Sequence, residues 1–228
     1  MIDKNCMQKE IFRCSEGDRY YQRNKHALEE ALKSSDCDPI MRAISEVELH
    51  PKSILEIGCS SGWRLHALGE HYQAKCFGID PSMRAIQDGM NLFPELSLQQ
   101  ATADEIPYTD QMFDLVILGF CLYLCDRKDL FKIACEVDRV LMNLGKLIIL
   151  DFHPPFPYRN AYSHCPGLFS YKMNYAKLFT CNPAYYLIYQ KIFASSPELI
   201  NIPDERISVM MLNKDYDNAY PDFPYQRK

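Results

Sequence analysis

The chain has 228 residues, 47% hydrophobic and 24% charged, a size and makeup that suit one sizeable α/β domain or such a domain with a small appendage. Its net charge of −5, with no block of Lys or Arg, argues against a broad nucleic-acid-binding face. The start MIDKNCMQKEIFRC reads as too polar for a signal peptide, no run approaches the roughly 18 apolar residues of a membrane span, and ten cysteines without a C-x-x-C pair predict mostly buried reduced thiols in a cytoplasmic protein, with no metal cluster expected.

Residues 1–15 show no clear period. From Gly17 to Lys33 the pattern is helical, with Tyr20, Tyr21, Ala27, Leu28, Ala31 and Leu32 as an apolar stripe. Asp38-Pro39 opens a second helix, which turns Ile40, Met41, Ile44 and Val47 inward. These helices (residues 1–50) form an N-terminal cap expected to lie over a ligand crevice. Ser53-Ile54-Leu55-Glu56-Ile57 reads as a buried strand (52–57), Gly58-Cys59-Ser60-Ser61-Gly62 as a tight turn, and 62–72 as a helix. Those parts make a cradle. Gly58 lets the backbone approach a ligand without a Cβ, the helix start offers unpaired N–H groups, and Glu56 places an acceptor at the strand's end. The spacing is G-x-x-x-G, and Ser60 stands where a dinucleotide fingerprint has its second glycine.

Ala74 to Asp80 is the second strand and ends in an acid, followed by a helix from Pro81-Ser82 that turns Met83, Ala85, Ile86 and Met90 to one face. An acid after the second strand is where an α/β site binds two ribose hydroxyls. Leu96 to Ala101 alternates as a strand and leads into Thr102-Ala103-Asp104-Glu105-Ile106-Pro107-Tyr108. Phe113 to Gly119 is apolar enough for a central parallel strand. A helix over 127–141 carries Leu130, Phe131, Ala134, Val137, Val140 and Leu141 as its stripe, Asn143-Leu144-Gly145 ends it, and Lys146 to Phe152 is the fifth strand. This alternation predicts an α/β fold: a Rossmann-like, seven-stranded, mostly parallel sheet with helices on both faces and an antiparallel last strand. Ligands in such sheets sit beyond the carboxyl ends of the strands, where Glu56, Asp80, Asp104 and Gly119 all fall.

At ILEIGCSSG, GIDPS, ATADEIPY, FDLVILGFCLYLCD and EVDRVLMNLGKLIILDF the chain resembles the class I S-adenosylmethionine-dependent methyltransferases, in the right order over about 52–152. Ser60 in place of a glycine, and Asn143-Leu144-Gly145 in place of Pro-Gly-Gly, are its two departures. The resemblance implies one methyltransferase domain over 1–228 with a cofactor-binding core at 51–152, and S-adenosylmethionine as cofactor. It implies that Glu56, Gly58, Cys59 and Gly62 surround the methionine moiety, and that Asp80 takes the ribose. It further implies that Met83 packs on the adenine, that Asp104 binds its amino group with Glu105 and Ile106 giving backbone contacts, and that Gly119 and Phe120 line the site near the sulfonium.

Residues 153–184, rich in Pro and aromatics, read as a long insertion beside the transfer point. Its candidates for acceptor contact are His153, Tyr158, Arg159, His164, Tyr171 and Lys172. His153 suits a base for a hydroxyl acceptor, and Arg159 a fork for a carboxylate or phosphate. Residues 185–194 and 206–213 form the final strand pair, and 214–228 a loose tail. Asp151-Phe152-His153-Pro154-Pro155-Phe156 and Asn182-Pro183-Ala184-Tyr185 look like the N-P-P-Y loop of nucleic-acid amino-methylating enzymes, but lie after the fifth strand rather than the fourth. The expected partner is therefore a small-molecule acceptor. An NAD-dependent oxidoreductase and an inactive methyltransferase-fold binding protein are the alternatives. Nothing in the sequence fixes an oligomeric state.

Overall fold

The computed structural model describes residues 7–33 and 38–221. The side chains at 28, 29 and 31–33 are outside this set. With them go the expected stripe positions Leu28, Ala31 and Leu32, and tail residues 222–228 are likewise outside. Seven strands form one sheet: β1 (Ser53–Ile57), β2 (Lys75–Asp80), β3 (Ser97–Gln100), β4 (Phe113–Gly119), β5 (Leu141–Phe152), β8 (Tyr185–Phe193) and β9 (Ile207–Lys214). Their order is β3-β2-β1-β4-β5-β9-β8. β9 runs antiparallel between β5 and β8, and the pairs among β1 to β5 are parallel. The expected Rossmann-like sheet is therefore present.

Alternation along the strands sends residues to two cores, because successive side chains point to opposite faces. Leu55, Ile57, Val116, Leu118, Leu147 and Ile149 face α6 (Leu130–Val140) and the one-turn α7 (Lys177–Thr180). Ile54, Leu115, Ile117, Ile148 and Leu150 face α3 (Pro39–Glu46), α4 (Trp63–Tyr72) and α5 (Met83–Leu92). Three readings of these helices change. Phe131 is 78% exposed, and α6 buries Ile133, Val137 and Val140 instead. Met83 and Met90 are exposed, and α5 buries Ala85, Ile86 and Gly89. Met83 follows the cap Ser82, too early in α5 to reach the buried face.

The N-terminal segment is helical from much earlier than its pattern suggests. α1 (Gln8–Ile11), a π-helical turn (Phe12–Glu16) and α2 (Gly17–Lys33) follow without a break. Asp126 fixes the start by accepting from the N–H groups of Gln8 (3.0 Å) and Lys9 (2.9 Å), a cap supplied by a distant loop rather than by the preceding residue. α2 then packs against α4 and α5, above the strand ends. The 153–184 segment is less irregular than expected, because β6 (Tyr158–Ala161) and β7 (Phe169–Lys172) pair as an antiparallel hairpin. Lys214 and Asp215, placed in the loose tail by sequence, are buried. The Lys214 ammonium donates to the carbonyls of Asp138 (2.6 Å) and Leu141 (2.8 Å).

No helix among the described residues is long and apolar enough to cross a membrane. The eight described cysteines are free thiols. Cys14, Cys135 and Cys181 are exposed rather than buried.

Candidate functional site

The carboxyl ends of β1, β2 and β4 open into a cavity of about 320 Å³. Glu56, Gly58, Cys59, Asp80, Asp104, Gly119 and Phe120 line it from the sheet side, and Lys9, Phe12, Tyr20 and Tyr21 from the helical cap. The turn after β1 explains the close approach. Gly58 (φ +78°) carries hydrogen where a Cβ would lie 2.8 Å from the Cβ of Cys121. At Gly119 a Cβ would lie 2.8 Å from Glu56 Oε1. Ser60 takes the left-handed conformation (φ 52°) and donates its N–H to Asp80 Oδ2 (2.9 Å), which offsets the strain of a non-glycine residue there.

Asp80 also accepts from Ser82 N–H (2.8 Å). Burial pushes its carboxyl up to about 6, against the pull of these two N–H groups. Each oxygen keeps acceptor capacity toward the cavity. Glu56 is 1% exposed and its Oε1 pairs with Arg64 Nη1, while Oε2 is buried without a partner. Burial raises the Glu56 carboxyl and Arg64 partly offsets it. Arg64 Nε donates to Asp38 Oδ2 (3.0 Å), and Asp38 caps α3 through its other oxygen. One guanidinium thus serves two buried carboxylates.

Asp104 is held differently from expectation. Its Oδ2 accepts from Lys9 Nζ (2.6 Å) and Lys132 Nζ (3.3 Å), and Lys9 also pairs with Asp129 (2.8 Å). Asp104 lines the cavity with one oxygen already committed. The two residues after it do not serve the cavity. Glu105 N–H donates to Thr102 O (3.1 Å) and Ile106 N–H to Glu136 (2.9 Å), so both of these N–H groups are already engaged. Neither lines the cavity, nor do Gly62 and Met83. Gly62 caps α4 with φ +79°. Pro81, Ala101, Ala103 and Ile133 supply the apolar wall instead. Ile133 could have been found from the periodicity of α6. Arg64 and Lys9 gave no signal, because their partners are remote in sequence.

The three catalytic candidates lie away from this cavity. His153 donates its N–H to Arg206 O and meets Gln190 across its ring (3.2 Å). Burial lowers its basicity. Tyr158 donates to Asp204 (2.5 Å), and exposed Arg159 stacks over Phe169 at 4.4 Å. As successive residues of one strand, Tyr158 and Arg159 point to opposite faces of the hairpin, and neither lines this cavity. Of the other insertion residues, His164 and Lys172 line a second cavity. Tyr171 instead stacks with Arg127 at 4.4 Å. Among the described residues no group of three or more His, Cys, Asp or Glu is arranged to hold a metal ion.

Residues 55–149 match the family model described as a methyltransferase domain. Over these 95 of its 228 residues the chain is similar to the S-adenosylmethionine-dependent methyltransferases. Demethylmenaquinone methyltransferase of Lactobacillus johnsonii is 42% identical over 109 residues, 44% of this chain and 44% of that protein. The chain therefore spans less than half the length of this curated methyltransferase. An S-adenosylmethionine-dependent methyltransferase structure from Methanosarcina mazei aligns with TM-score 0.62 at 18% identity, covering 78% of this chain and 98% of that one. A structure of Burkholderia thailandensis 1,6-didemethyltoxoflavin-N1-methyltransferase, with 1,6-didemethyltoxoflavin and S-adenosylhomocysteine bound, aligns with TM-score 0.65 at 11% identity, covering 91% and 87%. These two share the methyltransferase fold.

Proposed function

We propose that the protein transfers a methyl group from S-adenosylmethionine to a small-molecule acceptor through oxygen or nitrogen. The carrying observation is the pair Glu56 and Asp80. They sit at the ends of adjacent strands and line one cavity, and Glu56 Oε2 is buried with no partner. A buried, unpartnered carboxylate oxygen is costly unless a donor arrives. The ammonium of a bound amino-acid moiety is such a donor.

In this reading Glu56 holds the ammonium, with Gly58, Cys59 and Gly119 giving backbone room. Asp80 holds the ribose hydroxyls, Pro81 and Ile133 flank the adenine, and Asp104 meets its amino group once Lys9 yields. Phe120 lies toward the acceptor. When bound, the cofactor supplies an electrophilic methyl on a cationic sulfur, so the chain's own task is largely positioning. Named relatives support a small acceptor, a quinone in one and 1,6-didemethyltoxoflavin in the other. The free thiols suit a reducing, cytoplasmic setting.

Calorimetric titration with S-adenosylmethionine, S-adenosylhomocysteine and NAD tests this. Micromolar binding of the two sulfur ligands without NAD is the expected result. Binding of NAD alone would instead assign an oxidoreductase, and binding of none an inactive methyltransferase fold.

A further inference from the structure

A second cavity of about 510 Å³ adjoins the first. The two share Tyr20 and Asn24 of α2 as lining. An aromatic wall continues from one to the other. Phe120 of the first stands edge-on to Phe152 of the second at 5.7 Å, and Tyr123 stands edge-on to Phe152 at 5.1 Å. The far side of the second cavity is the β6–β7 hairpin, which carries Tyr162, His164 and Lys172.

The charges of this wall are internally matched. Arg23 Nη2 donates to the fully buried Glu16 (2.6 Å) and to Tyr162 (3.0 Å). Lys172, itself buried, pairs with Asp204 (2.7 Å) and lies 3.7 Å from the centre of the Phe152 ring. Each cation already has a carboxylate, so an anionic ligand gains no unpaired charge and must desolvate its own. What the wall offers is ring surface and neutral polar groups. Tyr20 and Tyr123 bring their hydroxyls within 3.4 Å of each other, and Ser163 and Ser170 add two more. Rings prefer edge-to-face or offset partners, and hydroxyls both donate and accept.

We propose that this second cavity is the acceptor site and that it selects an uncharged planar aromatic bearing hydroxyl, carbonyl or ring-nitrogen groups. This rests on the methyltransferase reading and names the substrate class it leaves open. It also displaces the acidic acceptor that Arg159 suggested, because Arg159 lines neither cavity.

The test is calorimetric titration of the 228-residue chain, saturated with S-adenosylhomocysteine, using 2-naphthol, 2-naphthoate and the saturated ring alcohol 2-decalol. The expected order is 2-naphthol at least tenfold tighter than either of the others. Phe152→Ala should weaken 2-naphthol at least tenfold while the S-adenosylhomocysteine constant stays within twofold. Asp204→Asn removes a half-exposed partner and leaves Lys172 unmatched, so the selectivity should shift at least tenfold toward 2-naphthoate. Equal or tighter binding of 2-naphthoate to the native protein, no binding of 2-naphthol, or unmoved selectivity in Asp204→Asn would overturn the acceptor assignment alone. Failure of S-adenosylhomocysteine to bind would overturn it together with the methyltransferase reading.

Discussion

Asp80 should make cofactor affinity depend on pH. Its carboxyl sits near 6 rather than at the ordinary 3.8, with burial as the main cause and the charge of Asp18 adding to it. A carboxyl raised in the fold stabilises the empty protein fully only below its ordinary value, and that contribution is lost as pH rises through about 6. Hydroxyl donors act in the opposite direction, since they bind the ionised form more strongly. About nine-tenths of Asp80 is ionised at pH 7 and about one-tenth at pH 5, so the affinity for S-adenosylhomocysteine should fall about tenfold across that interval. Asp80→Asn should flatten the profile. At pH 7 it should also bind about 10- to 150-fold more weakly, from the loss of charge-assisted bonds worth about 1.5–3 kcal/mol. Calorimetry from pH 5 to pH 8 on both proteins measures this. A flat native profile, or an Asn profile as steep as the native one, would refute the role.

Two further outcomes follow from the ion pairs, and a third from the lining of the cavities. Arg64→Met leaves Glu56 and Asp38 buried without their cation and should cost about 3–5 kcal/mol in urea unfolding, with Glu56→Gln in the same chain restoring part of it. Lys9→Met removes the contact that ties the N-terminal helix to Asp104 and Asp129. Limited proteolysis ahead of Gly17 should then quicken about fivefold, as expected for a loss of about 1 kcal/mol. His153→Ala and Arg159→Ala should leave the S-adenosylhomocysteine constant and the turnover within twofold, because neither side chain lines either of the two cavities; a tenfold loss in either would return it to the site.

The sheet was legible because its central strands, β1, β4 and most of β5, are apolar on both faces and the turns after β1 and β2 carry glycine or an acid. Glu56, Asp80 and Gly119 were found by position alone, since a parallel sheet puts its strand ends on one edge. Other features depend on partners far along the chain. Gln8 to Glu16 has no amphipathic period, yet it is helical because Asp126 caps it and Gln8 bonds Leu124 O and Phe169 O. The departure at Asn143-Leu144-Gly145 proved local. Leu144 takes φ +65° within β5, near the register shift against β4, and the rest of the strand pairs normally. Tyr158 and Arg159 lie off the first cavity for a similar reason. A Pro- and aromatic-rich composition does not reveal that residues 158–161 and 169–172 pair as a hairpin, and that pairing decides which side chains face inward.

The charge of the first cavity bears on which cofactor it can hold. Its lining includes five acids, Glu56, Asp80, Asp104, Asp126 and Asp129, and two bases, Lys9 and Arg64, so with every group ionised it carries 2 − 5 = −3. A pyrophosphate would meet that field as a like charge, without a basic residue to spare, since Lys9 and Arg64 are each shared by two carboxylates. A cationic sulfonium with an ammonium group meets it as an opposite charge and supplies the donor that Glu56 Oε2 lacks. The same field distinguishes cofactor from product. Loss of the methyl group leaves a neutral thioether, which forfeits the Coulombic part of the attraction while keeping the hydrogen bonds of Glu56 and Asp80. The acidic lining therefore favours the loaded state over the spent one, and would exchange product for fresh cofactor more readily at low salt than at high salt.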